Sequence, residues 1–222
     1  MRSFFLFYLL TSLFGSPWIA LAVVAAVFYF GEARWSGRYF NPVAFFRDRS
    51  AIAELTRQLD INPHDVGAHN DLGRILAGEG RYSDALPHLE KAVARMDDAP
   101  EPHYFLGLCQ IENGRGDEGT ANIERALALN PTFRYGEPQV TLARHHYDQG
   151  RFAEAARYAE AAVERNTSSV EGWYRLGAAK GELGDAAGAR AAFDKAAEAY
   201  DHLPHYLRLA NRKWARAARK AA

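Results

Sequence analysis

Histidine and cysteine are the side chains of this sequence with the chemistry for metal binding or nucleophilic catalysis. His145 and His146 are adjacent, so on a helix their side chains point about 100° apart, which is poor geometry for sharing one metal ion. The single cysteine, Cys109, has no sequence-evident base beside it and excludes a disulfide framework within the chain. The sequence contains no phosphate-binding loop, HExxH motif or nucleophile motif. We therefore expect no enzyme activity, no catalytic residue, no metal site and no cofactor.

The charge of the chain is balanced only as an average over three regions. The 222 residues contain 27 lysines and arginines and 27 aspartates and glutamates. Residues 1–49 carry a net charge of +3, residues 50–202 a net charge of −9, and residues 203–222 a net charge of +6. Nucleic-acid-binding proteins usually show a basic excess, so the neutral total disfavours nucleic acid as a partner.

The first 31 residues have the composition of a transmembrane anchor. No charged side chain occurs from Ser3 to Gly31, and one helix over Phe4–Phe30 would extend about 40 Å, against roughly 30 Å of bilayer hydrocarbon. A soluble helix of this length would carry a polar stripe, which is missing here. A cleavable signal peptide fits less well because the apolar run continues to Phe30. We therefore expect membrane insertion over residues 1–31.

Two arrangements of this anchor are compatible with the sequence. Ser16 and Pro17 form a good helix start, and Trp18 is a residue typical of the membrane interface. The segment is therefore either one tilted helix kinked at Pro17, or an interfacial piece over residues 4–14 followed by a short span over residues 17–30. We favour the single span.

Residues 32–49 are expected to form a juxtamembrane linker rich in aromatic and basic residues. Four arginines follow the apolar segment within about 20 residues and one precedes it, so the positive-inside rule predicts that the rest of the chain is cytoplasmic. The aromatic residues alternate with arginine, which suits a stretch lying along the headgroups; the alternative is an ordinary linker whose aromatics pack on the first soluble helix. The residues expected at the membrane interface are Trp18, Arg34, Trp35, Arg38, Tyr39 and Phe40.

The remainder of the chain repeats itself with a period of about 34 residues. A glycine recurs at intervals of 34, 36 and 34 residues, with a leucine eight positions before it and an alanine twelve positions after it. Such a glycine lets one helix end and the chain turn back, and small residues on both helices let their axes approach closely. The spacing predicts four stacked two-helix units, at residues 66–99, 100–133, 136–169 and 170–203.

These units resemble the tetratricopeptide repeat (TPR) family. The residues that carry the resemblance are most complete in the fourth unit, as Trp173, Leu176, Gly177, Gly184, Ala189, Phe193 and Ala196. In the first three units the leading aromatic position holds His69, His103 and Gln139, and we expect the two histidines to pack in the core or the helix seam. The resemblance implies an all-α fold, a right-handed TPR-type α-solenoid of helical hairpins that follows the N-terminal transmembrane helix.

Both ends of the solenoid have the pattern of capping helices. Residues 50–65 are typical of the second helix of an incomplete repeat, closed by Pro63. Residues 204–222 predict a basic amphipathic helix, which caps the last repeat and has the composition for a second contact with anionic lipid or an acidic partner. Its expected apolar stripe consists of Leu207, Ala210, Trp214, Ala217 and Ala221.

In the TPR family, ligands commonly lie in a concave groove lined by the first helix of each repeat. Acids, tyrosines and aliphatic residues dominate these positions here, so the resemblance implies a peptide with basic and apolar side chains. The alternative is that the acids merely solvate the helices. The expected groove residues are Asn70, Arg74, Glu101, Tyr104, Leu108, Ile111, Glu112, Glu137, Val140, Arg144, Tyr147, Asp148, Glu171, Tyr174 and Glu182.

The spacer before the third unit is two residues longer than the others and contains Phe133 and Tyr135. These aromatics either form a lip at the edge of the groove or tuck between the second and third units, and we favour the second arrangement.

The function expected from this organisation is that of a membrane-anchored adaptor or scaffold. Its groove would bind a protein segment, and similar bacterial inner-membrane TPR proteins support envelope biogenesis or the assembly of membrane complexes. Anchoring would raise the effective concentration of membrane partners. Two alternatives remain open, a periplasmic chaperone-like TPR protein of opposite topology and a self-assembling scaffold that forms a homo-oligomer.

Overall fold

The computed structural model describes Trp18 and residues 42–222, with the side chains of Trp18 and of residues 47–222. The segment expected to anchor the chain therefore lies outside the described residues, apart from Trp18, which is helical and exposed. The other expected interface residues, Arg34, Trp35, Arg38, Tyr39 and Phe40, also lie outside them. Within the described part of the chain, no helix combines the length and the apolar character needed to cross a bilayer.

Residues 42–222 form ten α-helices and one 3₁₀ turn, with no strand among them. Residues 42–49, which the sequence suggested were linker, belong to the first helix, which begins at Pro42, a residue suited to a first helical position. The helices are α1 (Pro42–Ile61), α2 (Val66–Gly78), α3 (Tyr82–Val93), α4 (Pro100–Glu112), α5 (Gly116–Leu129), α6 (Glu137–Asp148), α7 (Phe152–Arg165), α8 (Val170–Glu182), α9 (Ala186–His202) and α10 (His205–Ala221), and the 3₁₀ turn is Phe133–Gly136.

Helices α2 to α9 form four hairpins, one within each predicted repeat range. The turn inside every hairpin contains the repeated glycine, and all four of these glycines have a left-handed φ between 72° and 82°. A residue with a Cβ is strained in this region, so the glycine is what allows the first helix to end and the chain to reverse. The turn glycines are Gly80, Gly114, Gly150 and Gly184.

Small residues set the crossing of the two helices in a hairpin. In the second repeat, a Cβ on Gly107 would lie 2.5 Å from the carbonyl oxygen of Gly119, and a Cβ on Gly119 would lie 2.5 Å from that of Gly107. In the first repeat, Gly73 leaves room for the side chain of Leu89. The expectation that small residues bring the helix axes together is confirmed by these contacts.

The first helices of the repeats (α2, α4, α6 and α8, the A helices) form one layer, and the second helices (α3, α5, α7 and α9, the B helices) form another. Successive A helices pack directly against one another, whereas within residues 48–222 successive B helices make no more than marginal contact. The A helices therefore lie on the shorter, concave side of the stack. This arrangement is an all-helical, TPR-like solenoid, as the sequence predicted.

Contacts divide the chain into two units, residues 1–47 and residues 48–222, and the repeats all lie in the second. Its main core runs from Leu59 of α1 through the repeats to Ala192 of α9. A second cluster joins α8, α9 and α10 around Phe193. Both end helices thus bury apolar side chains against the repeats, as caps must.

The buried face of α10 differs from the predicted apolar stripe. Ala215 and Ala218 are buried, whereas Leu207 and Ala210 of the predicted stripe are exposed. The guanidinium of Arg208 donates to the carbonyl oxygens of Asp201 and Leu203, both at 2.9 Å, and these bonds fix the rotation of the helix. The sequence pattern alone could not supply this rotation.

Candidate peptide-binding groove

Ring nitrogens hold the start of three A helices. The Nε2 atoms of His69 and His103 each lie 3.1 Å from the backbone carbonyl oxygen six residues earlier, and the indole nitrogen of Trp173 donates to the carbonyl oxygen six residues earlier at 2.8 Å. Histidine at this position therefore makes the same bond as tryptophan. The two histidines are buried structural residues, as expected from their place in the repeat.

Both ring nitrogens of His69 take part in hydrogen bonds. Because a carbonyl oxygen only accepts, its Nε2 carries the proton, and its Nδ1 accepts from the Nδ1 of His88 at 2.8 Å. Burial, followed by the proximity of His69, lowers the pKa of His88. Among the described residues, no group of three or more histidine, cysteine or acidic side chains is arranged to hold a metal ion.

His145 and His146 of α6 are buried against different neighbours. His146 stacks on Tyr158 of α7, with ring centroids 5.1 Å apart and planes within 6°, and neither of its ring nitrogens has a hydrogen-bond partner. His145 instead lies beside Gln149, 3.2 Å from its side-chain nitrogen. Burial, with Arg151 as the next cause, lowers the pKa of both histidines.

The predicted groove residues all lie on A helices, and several of them contact one another across repeat boundaries. Between the first and second repeats, Arg74 Nε lies 3.4 Å from Glu101 Oε1. Between the third and fourth, the hydroxyl of Tyr147 donates to Glu182 at 3.3 Å. Asn70 and Tyr104 are buried, and the rest are partly or fully exposed.

The junction between the second and third repeats has the densest set of these contacts. The hydroxyl of Tyr104 donates to Glu137 Oε1 at 3.0 Å and lies 3.4 Å from the hydroxyl of Thr141. Burial, and then the charge of Glu137, raises the pKa of Tyr104. At the other end of the same helices, Arg144 forms a close ion pair with Glu112.

Internal pairing changes the expected character of the groove. Of its six acids, Glu101, Glu112 and Glu137 are engaged as described, Glu182 accepts from Tyr147, and Glu171 pairs with Arg175 at 2.7 Å. Among these six acids, Asp148 alone makes no hydrogen bond or ion pair with a described residue. The groove is therefore less anionic than its composition suggests, because most of its acids tie neighbouring helices together.

The groove is closed at the fourth repeat by the C-terminal helix. The ring of Tyr174 lies between Phe193 and Trp214, with centroid separations of 5.8 Å and 5.2 Å. The guanidinium of Arg175 also lies over the Trp214 ring, 4.9 Å from its centroid. Tyr174 was predicted as a groove residue, but its ring belongs largely to the packing of α10 on α8.

A cavity of about 350 Å³ lies at the junction of the second and third repeats, between the C-terminal ends of α4 and α6 and beside the turn that leads into α5. Four of the predicted groove residues line it, together with Gly114, Gly116, His145 and Gln149. It combines one aliphatic wall, an ion pair and an unpaired carboxylate. The predicted residues at this cavity are Ile111, Glu112, Arg144 and Asp148.

Of the two spacer aromatics, Phe133 adopts the favoured arrangement between the second and third units and Tyr135 does not. Phe133 packs on Tyr104, with ring centroids 5.7 Å apart, whereas Tyr135 is 75% exposed. Arg134 and Tyr135 have left-handed φ angles of 50° and 47°, which are rare without glycine. Arg134 pairs with Glu137 at 2.7 Å and covers the Tyr104 ring, a role that the sequence did not indicate.

Helical hairpins stacked in series, with an inner layer of A helices, define an α-solenoid. Tetratricopeptide repeat models match residues 49–100 together with 140–204, which is more than half of the chain, and residues 76–136. The chain therefore belongs to the tetratricopeptide repeat family, whose members mediate protein–protein interactions.

Two plant proteins and several solved structures are similar to this chain. The Hsp70-Hsp90 organizing protein of Triticum aestivum is 38% identical over 91 residues, and Hsp70-Hsp90 organizing protein 2 of Arabidopsis thaliana is 28% identical over 86 residues. These matches cover 40% and 39% of this chain, and the chain spans only 15% of the length of each relative.

The structural similarity extends over most of the repeats. A structure of MamA has a TM-score of 0.65 at 21% identity and covers 74% of this chain and 97% of its own. YrrB, described as a TPR protein with an unusual peptide-binding site, has a TM-score of 0.59 at 19% identity and covers 77% of this chain and 86% of its own. At these identities the likeness shows the fold alone.

Proposed function

We propose that the protein is a membrane-anchored adaptor that binds a peptide segment of a partner protein in its concave groove. The observation that carries this proposal is the cavity at the junction of the second and third repeats. There the aliphatic side chain of Ile111 lies in the same cavity as the carboxylate of Asp148, which makes no hydrogen bond or ion pair with a described residue. The similarity to YrrB, a TPR protein with a peptide-binding site, supports a peptide as the ligand.

The charges around the cavity favour a short segment with one basic and one apolar side chain. The basic side chain would pair with Asp148, and the apolar one would pack on Ile111. An acidic tail fits poorly, because the two groove arginines, Arg74 and Arg144, are already paired with glutamates. A long polybasic segment also fits poorly, because it would have to displace these internal partners.

The anchor is the second part of the proposal. It is supported by the uncharged run from Ser3 to Gly31 and by the arginines that follow it. We place the protein as a single-pass protein of a bacterial inner membrane with its repeats in the cytoplasm. Confinement to the membrane raises the effective concentration of the adaptor for membrane partners without any new contact.

Charge reversal at Asp148 tests the groove. Reversing Glu101, Glu137 or Glu171 would also break contacts within the solenoid, whereas Asp148 has no such contact to lose. A photo-crosslinking residue at Val140 of the full chain would capture the bound segment in cells, and Asp148→Lys should abolish that crosslink. The matched control is Asp194→Lys, an equal charge change at an exposed site on α9. Equal crosslinking in both variants would remove the groove from the proposal.

The anchor is tested separately by extraction and topology. The full chain should stay with the membrane fraction in alkaline carbonate, and a phosphatase fused after Ala222 should be inactive while a fluorescent protein there is active. An active phosphatase would place the repeats in the periplasm and support the chaperone-like alternative. Release by carbonate would remove the anchor from the proposal.

A further inference from the structure

The outward side of α10 carries a straight stripe of apolar and cationic residues. Tyr206, Leu209, Lys213, Arg216 and Lys220 follow one another at intervals of three and four residues, so they lie along one face of the helix. All five are exposed, Tyr206 to 78% and Leu209 to 40%. We call these five residues, with the flanking Arg212, the outer stripe.

The opposite side of α10 is fixed to the repeats, so the outer stripe has a defined orientation. Ala215 and Ala218 are buried, and Trp214 packs on Tyr174. Arg219 pairs with Asp201 at 2.6 Å, and Arg208 binds backbone carbonyls. Two of the six cations of the helix therefore serve its docking.

The remaining four cations belong to the outer stripe. Arg212, Arg216 and Lys220 make no hydrogen bond or ion pair with any described residue, and the Lys213 ammonium lies 4.4 Å from the centroid of the Trp214 ring. Residues 203–222 contain no acid, so this charge is not balanced locally. The exposed side of α9, by contrast, mixes both signs, as in the pair Lys195–Glu198.

A cap that only solvates the end of the solenoid does not require such a stripe. Mixed charges would keep the helix soluble, and an outward Tyr206 and Leu209 would be a liability in water. The combination of one charge sign with exposed apolar side chains is that of a helix lying in a lipid interface. Lipid headgroups present continuous negative charge without a shaped site, which suits a straight stripe.

We propose that the outer stripe of α10 binds an anionic lipid surface, with its cations on the phosphates and with Tyr206 and Leu209 at the boundary of the acyl chains. This contact can be distinguished from insertion of the proposed anchor by its dependence on lipid charge. An uncharged anchor inserts into neutral and anionic bilayers alike, whereas the outer stripe should contact only anionic ones. It is also separate from the cavity proposed to bind a peptide, which is lined by residues 111–116 and 144–149.

A local probe distinguishes this contact from any other binding of the chain to vesicles. The full chain with Ala210→Cys is labelled at neutral pH with an environment-sensitive dye next to the stripe. Cys109 can stay, because its side chain is fully buried and burial raises the pKa of its thiol to about 12. We expect a blue shift with vesicles of mixed phosphatidylcholine and phosphatidylglycerol, none with phosphatidylcholine alone, and loss of the shift at high salt.

Charge reversal supplies the matched control. R212E/R216E/K220E should lose the blue shift, whereas R95E/R125E/R165E, with the same net charge on exposed arginines elsewhere, should keep it. Circular dichroism checks that both variants fold. An equal shift in the two triple variants, or a shift with neutral vesicles, would overturn the proposal. So would a shift with polyglutamate but not with anionic vesicles, which would indicate an acidic protein as the partner.

Discussion

The junction between the second and third repeats and the junction between the third and fourth join helices of the same kind by different chemistry. At the first, Tyr104, Glu137 and Arg134 form a polar cluster, and the 3₁₀ turn lies between α5 and α6. At the second, α7 and α8 pack directly through Val163, and Gly172 approaches this valine so closely that a Cβ there would lie 3.1 Å from its Cγ1.

The helices that enter these junctions differ in the same way. The buried residues of α6 include Gln139, Thr141, His145 and His146, whereas those of α8 are all apolar or glycine. The side-chain oxygen of Gln139 and both ring nitrogens of His146 lack partners. We call the junction between the second and third repeats the polar joint and the junction between the third and fourth the apolar joint. One repeat pattern therefore accommodates both kinds of packing, and the cavity described above lies at the polar joint. The following predictions test whether this contrast is energetic as well as chemical.

Gly136→Ala should have the largest effect. Gly136 has a φ of 91°, and an added Cβ would lie 2.8 Å from the carbonyl oxygen of Ala162. Left-handed strain and the clash together should lower the free energy of unfolding by about 2–4 kcal/mol. Denaturant titration followed by circular dichroism measures it.

Gly184→Ala is the control for Gly136→Ala. Gly184 has a similar φ of 82°, but nothing lies within 4 Å of its added Cβ. Only the backbone strain remains, so the loss should be about 1 kcal/mol. Equal losses for the two variants would show that the close approach of Gly136 to Ala162 adds nothing to the backbone strain.

Val163→Ala should weaken the apolar joint by roughly 2 kcal/mol. Its side chain is 3% exposed and lies in the main core, so truncation removes two methyl groups and leaves a small cavity. The same titration measures the loss. A change below about 0.5 kcal/mol would mean that α7 and α8 are not held by this packing.

Tyr104→Phe should destabilise the polar joint by about 1 kcal/mol, because the hydrogen bond to Glu137 is lost while Arg134 still holds that carboxylate. The pKa of Tyr104 is raised, so above pH 10 the unfolded chain releases a proton that the folded chain retains, and stability falls with rising pH. The variant should lose part of this alkaline decline. Titrations from pH 8 to about 11 measure it, and identical slopes would contradict the assignment.

The repeats were predictable because their determinants are local or periodic. Each hairpin needs a left-handed glycine at its turn and small residues where its helices cross, and positions such as Gly80 and Gly107 recur in register along the sequence. The positions of the groove residues on the A helices follow from the same register.

The state of the groove was not predictable in this way. Whether an acid faces solvent or pairs with the next repeat depends on side-chain rotamers, which periodicity does not fix. Three of the pairs join residues 32 to 35 positions apart, which is about one repeat. An acid one repeat away from an arginine or a tyrosine is therefore the sequence signal that could have predicted these pairs. The left-handed Arg134 had no such signal, because nothing in its residue type indicates that conformation.

His146→Phe should produce the smallest change, and in the stabilising direction. A phenyl ring keeps the stacking on Tyr158 but removes two buried nitrogens that have no partner, so the gain at neutral pH should be about 1 kcal/mol or less. Burial lowers the pKa of His146 in the folded chain. Below pH 6.5 the unfolded chain therefore binds a proton at this residue that the folded chain does not bind, and the free energy of unfolding decreases as the pH falls. The variant should lose stability less steeply there.

The acid decline that remains in His146→Phe should come from His145 and His88, whose pKa values are also lowered by burial. Thermal melts between pH 7 and about pH 5 measure both slopes. If the variant is less stable than the parent at neutral pH, the unpartnered nitrogens are satisfied by water, and α6 is held by a hydrated polar interior. If it is more stable, the buried polar side chain of His146 costs stability next to His145, which lines the cavity where the partner segment is proposed to bind.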